Sequence, residues 1–286
     1  MATPRAVPPG RIGALPLHVE VIGATSAGKS TLTRALEEAC RRRGIDATNS
    51  DDLALAPLGL ERVAGEFLRR RLVDAPALLA CLGSWRRHRE LCSLALAASR
   101  RAPGGWTRRL NLARNALRKI GLHEIVRRRG GNRLVLVDNE GVLQAAHNLF
   151  VHVAAESSDA DLTAFMRLAP LPDAVVYVEE VEEVLVARTL ARGHRRVPAG
   201  SAEGAARFVS RAVRVFETIT TAPAVRARLV VVGPDRSVRL APEAKGDPRL
   251  LTLTGLVREA VALARAAFPG EHLPTTPAGD DSRDHP

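Results

Sequence analysis

The residues in this chain with the clearest chemical capacity stand near its start. Gly23-Ala24-Thr25-Ser26-Ala27-Gly28-Lys29-Ser30 fits the spacing G-x-x-x-x-G-K-[ST], and Thr31 follows. Glycines at both ends let backbone N–H groups turn inward as a nest around anionic oxygens. A lysine at this position brings a point charge to the β- and γ-phosphates of a nucleotide, and the serine hydroxyl is placed to ligate Mg²⁺. Only three of the 42 Lys and Arg residues are lysines (Lys29, Lys119 and Lys245), and one falls where the spacing needs it.

Three further groups carry candidate chemistry. Leu134-Val135-Leu136-Val137-Asp138 is an apolar run ending in a carboxylate, with Glu140 two residues on. Beside a phosphate loop, such an aspartate holds Mg²⁺ through water. Glu140 is a candidate to complete the metal shell or orient a substrate. An acid just before a helix also serves as an N-cap, and Asp138 meets that description too. Asp51 and Asp52 follow a short strand whose C-terminal end opens, in a parallel sheet, onto the same crevice. One of them could take the proton of an attacking hydroxyl, or orient an acceptor that is already a phosphate. The plain structural reading of both is a polar turn or helix cap. Arg188 and Arg192 share a helix face, and Arg195 and Arg196 follow in a Gly/Pro-containing loop. Residues 188–202 therefore read as a lid whose guanidinium groups neutralise a moving phosphoryl group. The alternative is a basic helix end favoured by its dipole.

These groups need a scaffold, and the periodicity supplies one. Strands are predicted at residues 17–22, 45–48, 134–137, 174–178 and 229–232. Helices are predicted at 30–43, 142–155, 159–168, 181–191, from about 201 to 220, and at 252–268. Residues 58–129 contain no convincing strand and read as several helices. Several strands are continuously apolar, as when both faces are covered. Strand–helix alternation implies a parallel α/β sheet with right-handed crossovers. The chain divides into a tail at 1–16, one domain at 17–269 with a helical insertion at 57–130, and a second tail at 270–286.

Composition bounds the function. With 286 residues, 46% hydrophobic and 26% charged, the chain is long enough for a sizeable core and is not disordered as a whole. Cys40, Cys81 and Cys92 show neither a disulfide framework nor metal-ligand spacing. No apolar run reaches the roughly 18 residues of a membrane span, and no secretory pattern opens the chain, so a cytoplasmic protein without a membrane partner is expected. Net charge is +11, and residues 61–130 alone hold sixteen arginines and one lysine against five acids. That surplus points to an anionic substrate or surface near the insertion, or to solvated basic faces in an Arg-rich chain. Trp85, Arg86, Arg87 and Arg89 are candidates to line an acceptor pocket.

The phosphate loop, the strand ending at Asp138 and the stretch Leu171-Pro172-Asp173-Ala174-Val175-Val176-Tyr177-Val178-Glu179-Glu180 through Arg188 together resemble the P-loop nucleoside and nucleotide kinases. The nearest group is that of the thymidylate and deoxynucleoside kinases. The resemblance covers residues 17–50 and 133–232. It implies a P-loop NTPase three-layer sandwich with a five-stranded parallel sheet in the order 2-3-1-4-5. It implies ATP and Mg²⁺ as cofactors, Arg188 and Arg192 flanking the ATP phosphates or stacking on adenine, and residues 233–237 near the adenine. Two departures stand out: Asn139-Glu140-Gly141 occupy the place where the group usually sets an arginine, and its acceptor-binding residues have no counterpart in 57–130. The loop also resembles that of chloramphenicol-type antibiotic phosphotransferases. The expected activity is transfer of the γ-phosphate of ATP to a small anionic or nucleoside-like acceptor, with an oligomer possible. Two alternatives stand beside it: a polynucleotide 5′-kinase tracking phosphates on the basic insertion, and a non-kinase ATPase or nucleotide switch that docks a partner protein. Nine aromatic residues in the whole chain are few for stacking single strands.

Overall fold

Runs of valine, leucine and isoleucine set side by side build the sheet. The computed structural model describes residues 18–60, 66–138, 140–154 and 158–267; the expected tails at 1–16 and 270–286 lie outside them. Five strands pair in parallel: β1 (His18–Ile22), β2 (Ala47–Asn49), β3 (Leu134–Asp138), β4 (Ala174–Val178) and β5 (Leu229–Val232). They lie in the order β2-β3-β1-β4-β5, as the resemblance implies. β1 and β4 are buried at every position.

The sheet has a sixth strand, β6 (Val238–Leu240), antiparallel on the outer edge of β5, which corrects the expected five. Its three residues, Val238-Arg239-Leu240, are too short a run to register as a strand. They are held by a tight turn in which Gly233 N–H donates to Ser237 O at 2.9 Å and Arg236 takes φ 66°. Residues 233–237 are thus a hairpin turn.

The helices are α1 (Lys29–Arg42), α2 (Ser50–Leu55), α3 (Glu66–Gly83), α4 (Trp85–Arg101), α5 (Trp106–Arg129), α6 (Val142–Phe150), α7 (Asp159–Leu168), α8 (Glu182–Arg192), α9 (Ala202–Thr221), the single turn α10 (Pro223–Arg226) and α11 (Pro248–Ala267). α1 packs on α11, while α5, α6 and α9 follow one another as neighbours. The arrangement is compatible with a three-layer sandwich. α11 starts a turn earlier than the pattern predicts, with Pro248 as its first residue, a position where the missing N–H costs nothing. α6 is shorter than predicted and ends at Phe150 because a side chain from a distant loop takes up its terminal carbonyls, as described below.

α2 to α5 form the insertion between β2 and β3, with no strand among its described residues. It is not a separate body. Leu53, Leu55, Val73, Leu122 and Ile125 share one core with Val135 and Val137 of β3. α3 and α5 approach so closely that a Cβ on Gly121 would overlap the carbonyl oxygen of Ala77. Among the described residues no helix is long and apolar enough to cross a membrane.

Candidate functional site

The C-terminal ends of β1 and β3 carry the candidate site. β1 ends at Ile22, and residues 23–28 turn the chain into α1. Gly23 (φ 149°), Ser26 (φ 69°) and Gly28 (φ 92°) take backbone conformations that bend the loop back on itself. Two of these glycines are required for different reasons. At Gly23 a Cβ would sit 2.6 Å from the carbonyl oxygen of Val178, at the end of β4. Gly28 has open space around it but holds the left-handed conformation at the N-cap of α1. No side chain caps α1, and its first turn carries no acid. The N–H groups there are left for an anion, with the helix dipole behind them.

Lys29 is buried. Its ammonium donates to the carbonyl oxygens of Gly23 (3.0 Å) and Ala24 (2.8 Å), drawing the loop around itself. Burial pulls its pKa down to about 8, against the pull of Asp138. The loop is braced from outside as well. Gln144 of α6 donates to Gly23 O (3.3 Å) and accepts from Gly23 N–H (3.4 Å). Thr25 Oγ1 lies 3.3 Å from His147 Nε2.

Asp138 hydrogen-bonds with the Ser30 hydroxyl. Burial raises its pKa, with Ser30 and Lys29 opposing. Its Oδ1 is buried with no hydrogen-bond partner. One oxygen engaged by a serine and the other left open suits a hydrated divalent cation, which keeps several waters and takes few protein ligands. Among the described residues no group of three or more His, Cys, Asp or Glu side chains is gathered for a metal, so an all-protein cage is not what this site offers.

The remaining candidates divide. Glu140 turns away from a metal role: it pairs with Arg118 of α5 and lies 4.0 Å from Lys119 Nζ. Asp52 is committed to structure. Its N–H donates to Asn49 Oδ1 (2.8 Å), its Oδ2 accepts from Asn49 Nδ2 (2.7 Å), and Arg69 pairs with it. Helix capping is the reading that fits this residue. Asp51 lies 3.6 Å from Arg118 Nη2, on the crevice side of α2. Arg188 reaches the loop, donating to Ser26 O (3.2 Å) and pairing with the buried Glu180 at 3.1 Å. Arg192 and Arg195 are exposed. Arg196 is turned inward. It donates to the carbonyls of His147 (3.3 Å), Asn148 (3.4 Å) and Val151 (3.2 Å) and to Asn148 Oδ1 (3.0 Å), closing the C-terminus of α6. The segment 188–202 is therefore held at Arg188 and at Arg196, and Arg196 caps α6.

Several residues at this site were not singled out by their sequence. Glu20, the lone acid within β1, is buried, and its carboxylate accepts from the N–H of Gln144 at 2.8 Å. Burial pushes its pKa up to about 7, against the pull of the α6 amides and Lys119. A Cβ on Gly141 would overlap that carboxylate, so the glycine after Glu140 is required. Lys119 is 1% exposed, and Arg118 beside it is 5% exposed. Burial lowers the pKa of Lys119, with Glu140, Glu20 and Asp138 opposing. Arg114 and Arg118 both pair with Asp74 of α3. Polar positions four apart on α5 (114 and 118, 115 and 119) were the available signal. A cavity of about 530 Å³ adjoins, between α1 and the β2 edge, lined by residues including Arg34, Glu37, Asn49 and Asp52.

Trp85, Arg86, Arg87 and Arg89 are not at this crevice, which corrects their expected place. They begin α4 beside Glu124, near the opposite ends of the strands. The part of the insertion that reaches the loop end is the stripe of α5 through Arg114, Arg118 and Lys119. No protein-family model matches this chain, and no curated protein is significantly similar to it.

Proposed function

We propose that this protein is a P-loop phosphotransferase that moves the γ-phosphate of ATP, with Mg²⁺, to a small nucleoside- or nucleotide-like acceptor. One observation carries the reading: a G-x-x-x-x-G-K-S loop drawn around a buried lysine at the end of the central strand, with the serine after that lysine hydrogen-bonded to the aspartate that ends the adjacent strand. In this reading Lys29 and the amides of residues 24–30 hold the triphosphate, Ser30 and Asp138 hold the metal, and Arg188 stands over the loop. Mg²⁺, when bound, neutralises charge on the β- and γ-phosphates. Arg188 adds positive charge where the transferred group spreads its own. The acceptor lies between α2 and α5, where Asp51 is placed to orient or deprotonate its hydroxyl and Arg118 fixes Asp51.

The test is calorimetry with Mg²⁺-ATP followed by a labelled-ATP acceptor screen over nucleosides, deoxynucleosides and their monophosphates. Lys29→Ala should bind Mg²⁺-ATP at least about tenfold more weakly, the loss of one charge-assisted contact, with unchanged circular dichroism. Absence of heat with both ATP and GTP overturns the reading. Phosphate release with no labelled acceptor supports a nucleotide switch in its place.

A further inference from the structure

The arginines of the insertion fall into two groups. Arg114 and Arg118 are matched to carboxylates beside the loop. Arg86, Arg87 and Arg89 stand exposed near the opposite ends of the strands. Arg127 and Arg128, at the end of α5, join them there: Glu124 lies 3.6 Å from Arg87, 2.8 Å from Arg127 and 3.4 Å from Arg128. A single buried carboxylate thus underlies three guanidinium groups, and the exposed Glu90 lies 4.0 Å from Arg89. The five arginines outnumber these two acids.

Apolar side chains share the same tip. Leu79 and Leu82, in the last turns of α3, are 67% and 64% exposed, and Trp85 opens α4 across the joint at Ser84. Among the described residues Leu79 and Leu82 are the most exposed leucines, and burying one would stabilise by about 2 kcal/mol. Leucine and tryptophan beside arginine is the composition of an interfacial anchor: apolar groups enter the headgroup boundary, and cations pair with anionic lipids.

We propose that the α3–α4 tip docks on an anionic lipid surface, with Leu79, Leu82 and Trp85 entering the headgroup layer and Arg86, Arg87 and Arg89 pairing with the headgroups. This is peripheral contact and needs no membrane span. A second copy of the chain fits the patch poorly, since it would meet its own positive charge. Nucleic acid would satisfy the arginines and leave the leucines with nothing apolar to enter. The tip lies away from the phosphate loop, so the proposal stands independently of the proposed phosphotransfer.

Sedimentation of the full chain with phosphatidylcholine vesicles, with and without phosphatidylserine, tests it. Binding is expected only with phosphatidylserine and should weaken as salt is raised. In a Trp106→Phe background, Trp85 emission should shift to shorter wavelength on binding. Arg86→Gln and Arg89→Gln should each weaken binding about fivefold at low salt. Leu79→Ser with Leu82→Ser should abolish the emission shift. The altered side chains are exposed, and circular dichroism checks that each variant folds; the wild-type vesicle comparison decides without them. No binding, equal binding to both vesicle types, or binding indifferent to all four substitutions overturns the proposal. So does preferential binding to a single-stranded oligonucleotide with quenching of Trp85.

Discussion

Toward the C-terminal ends of the strands, the ionisable groups Glu20, Lys29 and Lys119 are buried, with Asp138 half-buried at the end of β3. Toward the N-terminal ends lie three buried histidines, with ring centroids 5.2 Å apart for His18 and His123 and 6.5 Å for His88 and His123. There burial holds His18 and His123 in the neutral form, at about 3 and about 4. Glu124 accepts from His88 (2.9 Å) and from Arg127, with Arg87 and Arg128 close by. The two ends treat polar groups differently. Around Glu124 a carboxylate has more partners than it needs. At the loop end, Ser26 Oγ, Asp138 Oδ1 and Arg118 Nη2 are buried with no hydrogen-bond partner. An orphaned buried polar atom costs about 1–3 kcal/mol, a cost that a ligand removes when it binds. That asymmetry, and not charge alone, distinguishes the loop end from the surroundings of Glu124.

The substitution with the largest expected effect removes the element spanning both ends. Gly121→Ala puts a methyl into the carbonyl of Ala77 at the α3–α5 crossing. Neither backbone can retreat without unseating Leu122 and Ile125 from the core they share with β3. A destabilisation of about 3 kcal/mol or more is expected in denaturant unfolding. Gly255→Ala on α11, where a Cβ meets nothing, is the control and should be neutral or stabilising by up to about 1 kcal/mol. Equal behaviour of the two variants would mean that the insertion is not packed as described.

How far the sequence reaches follows the same division. The loop and the five parallel strands are legible because their signals are local: a fixed spacing and short apolar runs. β6 is not, because three alternating residues are defined only by the strand they pair with. The face of α5 that meets the site is equally hidden, since helical spacing groups Arg114 with Arg118 but does not say which neighbour they face. The basic surplus lacks a place for a related reason. Composition counts charges without direction, and the structure sends Arg86, Arg87 and Arg89 away from the crevice. Asp52 shows the cost of assigning chemistry to an acid whose N–H and carboxylate both engage Asn49, the N-cap of α2.

A second pair of substitutions sharpens the contrast in redundancy. Arg118 is buried against Asp51, Asp74 and Glu140. Arg118→Ala removes the guanidinium that pairs with all three carboxylates and should cost about 3 kcal/mol. Arg127→Ala removes one of several partners of Glu124 and should leave the melting temperature within the scatter of replicate scans. A large loss from Arg127→Ala would show that Glu124 depends on a single partner after all.

The smallest effect appears as a slope, and the two ends should give slopes of opposite sign. His18 and His123 titrate in the fold well below their ordinary 6.5. Between about pH 4 and 6.5 the unfolded chain therefore binds more protons at these sites, and stability falls as the solution is acidified through that window. Glu20 is raised from 4.5 to about 7, so between those values the folded chain binds the extra proton and stability falls as pH rises. His18→Gln with His123→Gln should flatten the acid limb by about 1 kcal/mol per pH unit for each imidazole. Glu20→Gln, which keeps an acceptor for the α6 amide, should steepen that limb by a similar amount. Denaturant unfolding at intervals across pH 4–7 measures both. If the two variants moved the slope in the same direction, the contrast between groups that shed protons on folding at one end and one that takes up a proton at the other would fail. If only the histidine pair moved it, Glu20 would be ionised in the fold throughout, with Lys119 as its counter-charge.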